Sequence, residues 1–568
     1  MSHAHLLAFA ALIAGSAHAQ VTTRTLTLSG DPAPGQPVGV TFSAFDAVAN
    51  NASGQVTLFA TVAGPGVTSS NRQGIWWTAP GSLQAVMRLG DPAPGQGGLL
   101  YSSTTNANLS DNGTLVYATT LTGSVDSAWT VTPGNSPTVL YLDGTQVPGA
   151  PAGVLWDASG LPSINDSGVM AFRGLLRGPS VTSDGANAHI VGPAGGLTVG
   201  LRGGDPTGLL PGVNFIGVLN DYAINSAGTM LSRTSLAGAG VTAANNQAVW
   251  TRSAAGGRTL ILRTGEQAPG FAAGVVHTGI IGTPALDRSG RIGLVTGIAG
   301  PGVASGATQV AWIHENGVTT KLVQSGDQAP GLAAGLLLDG SFRIVFGGQN
   351  SLTLSAQIRG AGVNFANRSV LYKRTGDGPL TLVARGGNPA PGTTSTFEDI
   401  SGNGNIAMNA SGRIMLAAPL ASGHDGLWLE DATDSLQLVL LENTAFDVED
   451  GPGVTLRTIS SLGFPPNAGD DDGRFSGFSD NGEVVYRLTF TNATAGVFMS
   501  RLPQGCDSID FNQNSVFPED QDVIDFFNVL AGATCATCAD IDFNNNGVFP
   551  EDQDVIDFFN VLAGGTCS

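Results

Sequence analysis

Two short runs near the C-terminus carry the side chains best suited to chemistry. Asp510, Asn512 and Asn514 alternate with other residues, and Asp542, Asn544 and Asn546 repeat the pattern 32 residues later. Oxygens at every second position of a turn can close on one hard cation, and calcium takes about six to eight of them. The main-chain carbonyls of Val516 and Val548 stand two residues further on, where a backbone ligand belongs. The competing reading is a pair of Asn-rich turns that bind no ion. From Cys506 onward there are twelve Asp and Glu and no Lys or Arg; such a run is usually a solvated tail, but this one has ordered spacing.

Each run must be positioned by the segment on its C-terminal side. Val523, Phe526, Phe527 and Leu530 recur at i, i+3, i+4 and i+7 up to Gly532, which predicts an amphipathic helix, and a twin begins at Val555. The chain's four cysteines frame these segments. Cys506 to Cys535 spans 29 positions, as does Cys538 to Cys567, and of three possible pairings the repeat symmetry favours these two. A redox pair at Cys535 and Cys538, or a zinc site of four thiolates, are the rivals; export disfavours both.

Loop followed by helix, twice and with no entering helix, resembles the dockerin modules of secreted bacterial proteins, in their cysteine-flanked Gly-Cys variety. The resemblance covers residues 505–568. It implies calcium as the cofactor and a cohesin-type protein partner gripping the helix faces. It also implies an acidic ligand at loop position twelve, where this chain has Gln521 and Gln553. A one-residue expansion around Phe517-Pro518-Glu519 would bring Asp522 and Asp554 into that role instead. Few carboxylates per loop imply modest affinity, on the order of 0.1–1 mM.

The remaining chain is repetitive. Gly30-Asp31-Pro32-Ala33-Pro34-Gly35 recurs at Gly90, and weaker copies put Asp205, Glu266, Asp327 and Asn388 at steps of 61 residues. A second motif pairs a polar turn with an alternating strand, as in Asn165-Asp166-Ser167-Gly168-Val169-Met170-Ala171-Phe172. Its glycines fall at Gly54, Gly113, Gly168, Gly228, Gly290, Gly412 and Gly482, with a degenerate copy near Asn350-Ser351. An aromatic-bearing strand follows in each unit, at Trp76, Trp129, Trp250, Trp312, Tyr372, Trp428 and Phe498, with Ile190 in the third. Three or four short strands per unit, Gly/Pro turns and no helical period predict a mainly β fold, a β-propeller of about eight blades over residues 20–502. Seven blades, or an open β-solenoid, are the alternatives. The eighth unit lacks its last strand, and Arg24-Thr25-Leu26-Thr27-Leu28 is expected to supply it and close the ring. The repeats resemble tandem Asn-x-x-Gly-x-x-Ala-Phe proteins secreted by bacteria, and more loosely the Asp-box turns of sialidase-like propellers. Neither resemblance specifies an activity.

Leu6 to Ala14 is apolar and Ala17-His18-Ala19 gives a small-x-small cleavage pattern, so residues 1–19 read as a signal peptide and the protein as secreted or surface-associated. No later run is long enough for a transmembrane helix. A net charge of −20 with only 12% charged residues excludes a nucleic-acid binder, because phosphates need clustered Lys and Arg.

No catalytic constellation stands out. His189, His277, His314 and His424 share no ligand spacing, and nucleophile-elbow and zinc-helix motifs are absent. The turn acids Asp31, Asp91, Asp205, Glu266 and Asp327 could meet at one rim, but a turn role explains them better. The Trp series reads as core. Asp470-Asp471-Asp472-Gly473 is an acidic loop that could hold a stray cation. The expectation is a secreted, non-catalytic binding or surface protein joined through a calcium-dependent tail to a cohesin-type partner, with an extracellular glycan or protein as possible ligand. A propeller enzyme acting on extracellular polysaccharide is the alternative.

Overall fold

The repeating polar turn does two jobs with one side chain, and the architecture follows from it. In a computed structural model that describes residues 21–78, 82–400, 405–450, 453–464, 472–474, 476–502, 506–514, 516–535, 537–544 and 552–565, the turn asparagine closes its own hairpin through Oδ1. Asn165 Oδ1 accepts from Val169 N at 2.8 Å, Asn225 Oδ1 from Thr229 N at 3.0 Å, and Asn409 Oδ1 from Arg413 N at 3.0 Å. The Nδ2 of the same residue donates to the next repeat. Asn51 reaches Ser110 O at 2.8 Å, Asn165 reaches Asn225 O at 2.7 Å, Asn225 reaches Asp287 O at 3.0 Å and Asn409 reaches Ser479 O at 3.1 Å. A carboxamide carries a donor and an acceptor on one planar group, which is why asparagine suits the position.

Where the motif departs from Asn, the donor comes from elsewhere. Asp287 keeps the accepting half, taking Arg291 N at 2.7 Å, and Arg291 supplies the donating half to Asn350 Oδ1 and, at 3.3 Å, to Ser351 O. Ser110 is too short to cross, and Asn108 reaches Pro162 O at 2.6 Å instead. Gly348 N donates to Asn409 O at 3.0 Å, and Asn50 Nδ2 to Glu483 O at 3.1 Å. Among the described residues all eight junctions are bridged in this way, and the last bond returns to the first repeat.

The units so joined are eight antiparallel sheets, spanning residues 41–88, 101–142, 155–202, 213–263, 276–324, 337–385, 405–441 and 445–501. The protein is therefore mainly β, an eight-bladed β-propeller. The strand Thr22–Leu28 adds to the outer edge of the last sheet beside Ala495–Arg501, as the missing-strand pattern predicts. Ser29 N donates to Ala495 O at 2.8 Å, and Ala495 N to Ser29 Oγ at 2.9 Å. Val485, Val497 and Met499 of the last blade share one apolar cluster with Val40, Phe42 and Trp76 of the first, so the ring is closed rather than solenoidal. The degenerate sixth unit is a full four-stranded blade. Its turn is built from Gln349 and Asn350 in left-handed conformations (φ +55° and +54°), which removes the need for the Asn-x-x-Gly spacing.

The Gly-Asp-Pro motif links the outer strand of one blade to the inner strand of the next. Isolated bridges pair Pro32 with Thr41, Pro92 with Leu100 and Pro206 with Asn214, and the eroded copy keeps the shape by pairing Gln146 with Leu155. The aromatic series is fully buried: Trp76, Trp129, Trp250, Trp312, Trp428, Tyr372 and Phe498 have no measurable exposure. Several of these rings fold back over a glycine two residues earlier. A Cβ on Gly426 would lie 2.5 Å from the Trp428 ring, and one on Gly496 would lie 2.6 Å from Phe498. In the third blade Ile190 leaves room that Trp156, from the first strand, fills against Phe172 at 6.1 Å. Burying each large ring contributes roughly 1.5–3 kcal/mol.

Replacing Asn225 by Ala strands a buried carbonyl and a turn N–H, and is expected to destabilise the propeller by about 2–4 kcal/mol. Asn225→Asp retains the acceptor but loses the inter-blade donor and buries a carboxylate against the Asp287 carbonyl, so at neutral pH its denaturation midpoint should fall at or below that of Ala. Equal midpoints for wild type and both variants in guanidinium melts would contradict the relay.

Candidate functional site

The chain divides at Arg501–Leu502, and the C-terminal residues form a unit of their own. Two helices of identical sequence, Asp520–Leu530 (α1) and Asp552–Leu562 (α2), pack through Phe526 and Phe558, whose rings stack at 4.3 Å. Phe511 meets Phe526 edge-on at 5.2 Å and Phe543 meets Phe558 at 5.1 Å, all four rings fully buried. One repeat alone would leave its phenylalanines in water, so the pair is the folding unit. The apolar stripe expected from the helical spacing is split. Phe526 faces inward, whereas Phe527 and Phe559 remain 41% and 42% exposed, 6.0 Å apart, flanked by half-exposed Ile524 and Ile556.

The first loop turns its oxygens inward. Asp510 Oδ1 and Asn512 Oδ1 both accept from Asn514 N, at 3.0 and 3.1 Å, and Asn514 Oδ1 accepts from Val516 N at 2.7 Å. Asp522, fully buried, returns to the loop and accepts from Asn512 N at 3.3 Å and Glu519 N at 3.4 Å. Gln521 points elsewhere, donating to Asp525 Oδ1 at 2.9 Å. The geometry thus brings Asp522, not Gln521, to the loop. In the second copy Asp542, Asn544 and Asp554 are buried, and Asn544 N lies 3.5 Å from Asp554 Oδ1. Asn546 and Val548 lie outside the described residues.

Three further acids join these sets without having been singled out from the sequence. Glu519 Oε1 accepts from Asn514 Nδ2 at 2.5 Å, Asp525 Oδ2 accepts from Asn512 Nδ2 at 3.1 Å, and Asp557 repeats the latter contact with Asn544 at 3.1 Å. The available signal was the i, i+3 spacing of Asp522 with Asp525 and Asp554 with Asp557, which puts each pair on one helix face. Among the described residues no cluster of three or more His, Cys, Asp or Glu forms a ready-made metal site. The donor set here is a mixture of carboxylate and amide oxygens, as a hard cation prefers.

The cysteine pairing differs from the symmetric one expected. Cys535 is bonded to Cys538, with Cα atoms 5.4 Å apart, in place of Cys506–Cys535 and Cys538–Cys567. The repeats interlock instead of folding each on itself. Asp507 N donates to Phe543 O at 2.8 Å and Ala539 N to Phe511 O at 2.9 Å, so each repeat's entry pairs with the other repeat. The short connection after α1 is then the segment that Cys535 and Cys538 tie. Cys506 is also disulfide-bonded; Cys567 lies outside the described residues.

In the propeller, the acidic loop is a strap across the ring. Asp470 and Asp471 lie outside the described residues, but Asp472 to Phe478 can be traced, Phe475 excepted. Ile164 N donates to Gly473 O at 3.0 Å, Ile224 N to Asp472 O at 3.1 Å, and Asn50 N to Ser476 O at 3.0 Å. Arg474 reaches Tyr222 O at 3.2 Å and Pro284 O at 3.5 Å. The strap from the eighth blade therefore binds the first, third, fourth and fifth. Gly473 sits at φ +69°, and a Cβ there would meet Ile224 at 2.8 Å. Asp472 is spent on Arg474, whose backbone N it accepts at 2.9 Å.

The remaining candidates are dispersed: the acids occupy one inter-blade turn each, and of the histidines only His277 and His314 share a blade, the fifth. Asp31 Oδ2 accepts from Leu28 N at 2.7 Å and Asp327 Oδ2 from Gln324 N at 2.8 Å, each closing its own turn. Burial raises the carboxyl pKa of Asp91, Asp205 and Glu266. His189 pairs with Ser232 Oγ at 2.8 Å, His314 with Thr319 Oγ1 at 2.9 Å, and His424 with Asn443. His277 rests against Trp312 and bonds Thr296 Oγ1 at 2.9 Å, and burial depresses its pKa to about 4.

An eight-bladed propeller joined to a paired loop-helix unit is the class these features define. The chain matches the model of a family of unknown function, DUF7453, over residues 10–131 and 101–504, and belongs to that family. No curated protein matches it. Among solved structures it is similar to the β-propeller domain of the Trilobed protease from Pyrococcus furiosus (9% identity, 70% of this chain and 98% of that one, TM-score 0.35). It is also similar to the Pyrococcus horikoshii acylaminoacyl peptidase (10%, 71% and 52%, 0.34). A third is the Aleuria aurantia lectin (10%, 59% and 94%, 0.25).

The His277 environment has a pH consequence. Its unfolded-state pKa is near 6.5, so between about pH 4 and 6.5 the unfolded chain binds the extra proton and stability rises with pH. The expected loss on acidification through that window is about 2–3 kcal/mol. Comparing guanidinium melts at both ends of the window checks this, and His277→Gln should flatten the dependence by that amount.

Proposed function

We propose that the protein is a secreted, non-catalytic propeller that binds an extracellular ligand and is held in place by its C-terminal unit, a calcium-dependent dockerin-like module that engages a cohesin-type partner. The observation that carries this reading is the burial of carboxylates beside oxygen-rich loops, in a segment whose own sequence holds no Lys or Arg. Asp522, Asp554 and Asp557 have no exposure, yet residues 506–568 contain no Lys or Arg. Buried carboxylates demand a cation or a proton, and loops already offering amide and carbonyl oxygens favour the cation. Asp510, Asn512, Asn514, the Val516 carbonyl and Asp522 would hold one ion; Asp542, Asn544, Asn546, the Val548 carbonyl and Asp554 would hold the second. The Ile524, Phe527, Ile556 and Phe559 patch supports the second half of the reading. Four half-exposed apolar side chains on one pair of helices are what a protein partner buries. No helix among the described residues is long and apolar enough to cross a membrane, so attachment through a protein partner is consistent with the rest.

Calorimetric titration of the mature chain with calcium should give two binding events with Kd on the order of 0.1–1 mM. Both should vanish in the Asp510→Ala, Asp542→Ala double variant. A silent titration of the wild type, with no change in helix content, would sink the calcium reading. Phe527→Glu with Phe559→Glu should leave calcium uptake intact while weakening capture by a cohesin-type partner at least about tenfold.

A further inference from the structure

The centre of the propeller holds a cavity of about 350 Å³ between the inner strands of the fifth and sixth blades and the strap. Its walls are mixed. Ile281, Leu286, Val295 and Ile344 give it apolar lining, and Arg343 and Arg474 bring two guanidinium groups. Arg474 is fixed by the carbonyls of Tyr222 and Pro284 and by Asp472, 3.5 Å away. Arg343 has no hydrogen-bond or ion-pair partner among the described residues, and it stays accessible from the cavity. Its strand, Leu337–Gly347, is irregular at this point. The register shifts between Gly340 and Arg343, and Ser341 adopts φ +54°. A bulge of this kind re-aims the side chains it carries. Partial desolvation by the surrounding strands and the nearby charge of Arg474 both lower the Arg343 pKa, and the guanidinium stays charged.

Among the described residues lining the cavity, two guanidinium groups stand beside one carboxylate, Asp472, in a protein of net charge −20. We propose that this cavity binds a small organic carboxylate, its anionic end held by Arg343 and Arg474 and its body laid against the apolar lining. Guanidinium is planar and meets carboxylate through paired N–H donors. A bare inorganic anion would satisfy the charge and leave the apolar lining wet. A cavity near the small end of the range for small-molecule sites suits a ligand the size of an aromatic or sugar acid, not a polymer chain. Ser341 adds a hydroxyl at the margin, while that of Thr283 is taken up by Asp221 Oδ1 at 3.1 Å. This inference rests on reading the propeller as a binding domain and names what it binds; it does not depend on the calcium-binding tail.

The test is calorimetric titration of the mature chain at low salt with benzoate, galacturonate and inorganic phosphate, in wild type and Arg343→Met. Methionine keeps the apolar stem and removes the charge. Saturable millimolar-or-tighter binding of at least one carboxylate, weakened at least about tenfold in Arg343→Met and stronger than phosphate, is the expected result. Without ligand, Arg343→Met should melt no lower than wild type, since no partner is lost. Three results would each overturn the proposal: no binding of either carboxylate at millimolar concentration, phosphate binding as tightly as the carboxylates, or equal affinity in the variant. Calcium uptake measured on the same samples separates failure of this site from failure of the tail.

Discussion

The amide of one turn asparagine, shared between its own hairpin and the next blade, is the constraint on which the propeller depends. A blade buries both its faces only against neighbours, so eight sheets gain nothing until they are held edge-to-centre in a circle. The Asn51, Asn165, Asn225 and Asn409 side chains set that spacing where the inner strands turn. The exceptions show the requirement best. When Asp287 forfeits the donor, Arg291 appears four residues later to restore it, forming a buried pair at 2.6 Å with Asp287 and lying over Phe346 at 4.8 Å. The contact survives although the residue type does not.

Closing the circle leaves a hole, and the last blade fills part of it. The strap at Asp472–Phe478 bonds to backbone groups of four other blades, so it ties together strands far apart in sequence. Backbone partners make this possible without matching side chains, and Gly473 allows the approach because no Cβ intervenes. What the strap leaves open is the cavity beneath Arg343. The same loop that stabilises the ring therefore also shapes this cavity.

The C-terminal unit solves a different problem. It is too small to hold a large core and compensates with four stacked and edge-on phenylalanines, disulfide bonding and inward-facing loops. Its acids sit where burial forbids bare charge, while its apolar residues Phe527 and Phe559 sit where water is. Both are costs for an isolated domain, and both would turn favourable with the cation and the partner proposed for this unit.

Much of this was legible in the residues themselves. Period-two strands, turn glycines, the recurring aromatic and the missing eighth strand determined a closed ring of β repeats, because each is a local steric or burial preference that holds wherever the segment lies. The Asp-x-Asn-x-Asn loops and their helices were legible for the same reason. The cysteine pairing was not, since it depends on the repeats interlocking through Phe511 and Phe543. Nor was the inward turn of Asp525 and Asp557, the split of Phe526 from Phe527, or the path of the acidic loop through the ring. The meeting of Arg343 with Arg474 joins residues 131 positions apart. Local sequence determines which shapes a segment can take; which side chains then share a space is decided only when the circle closes.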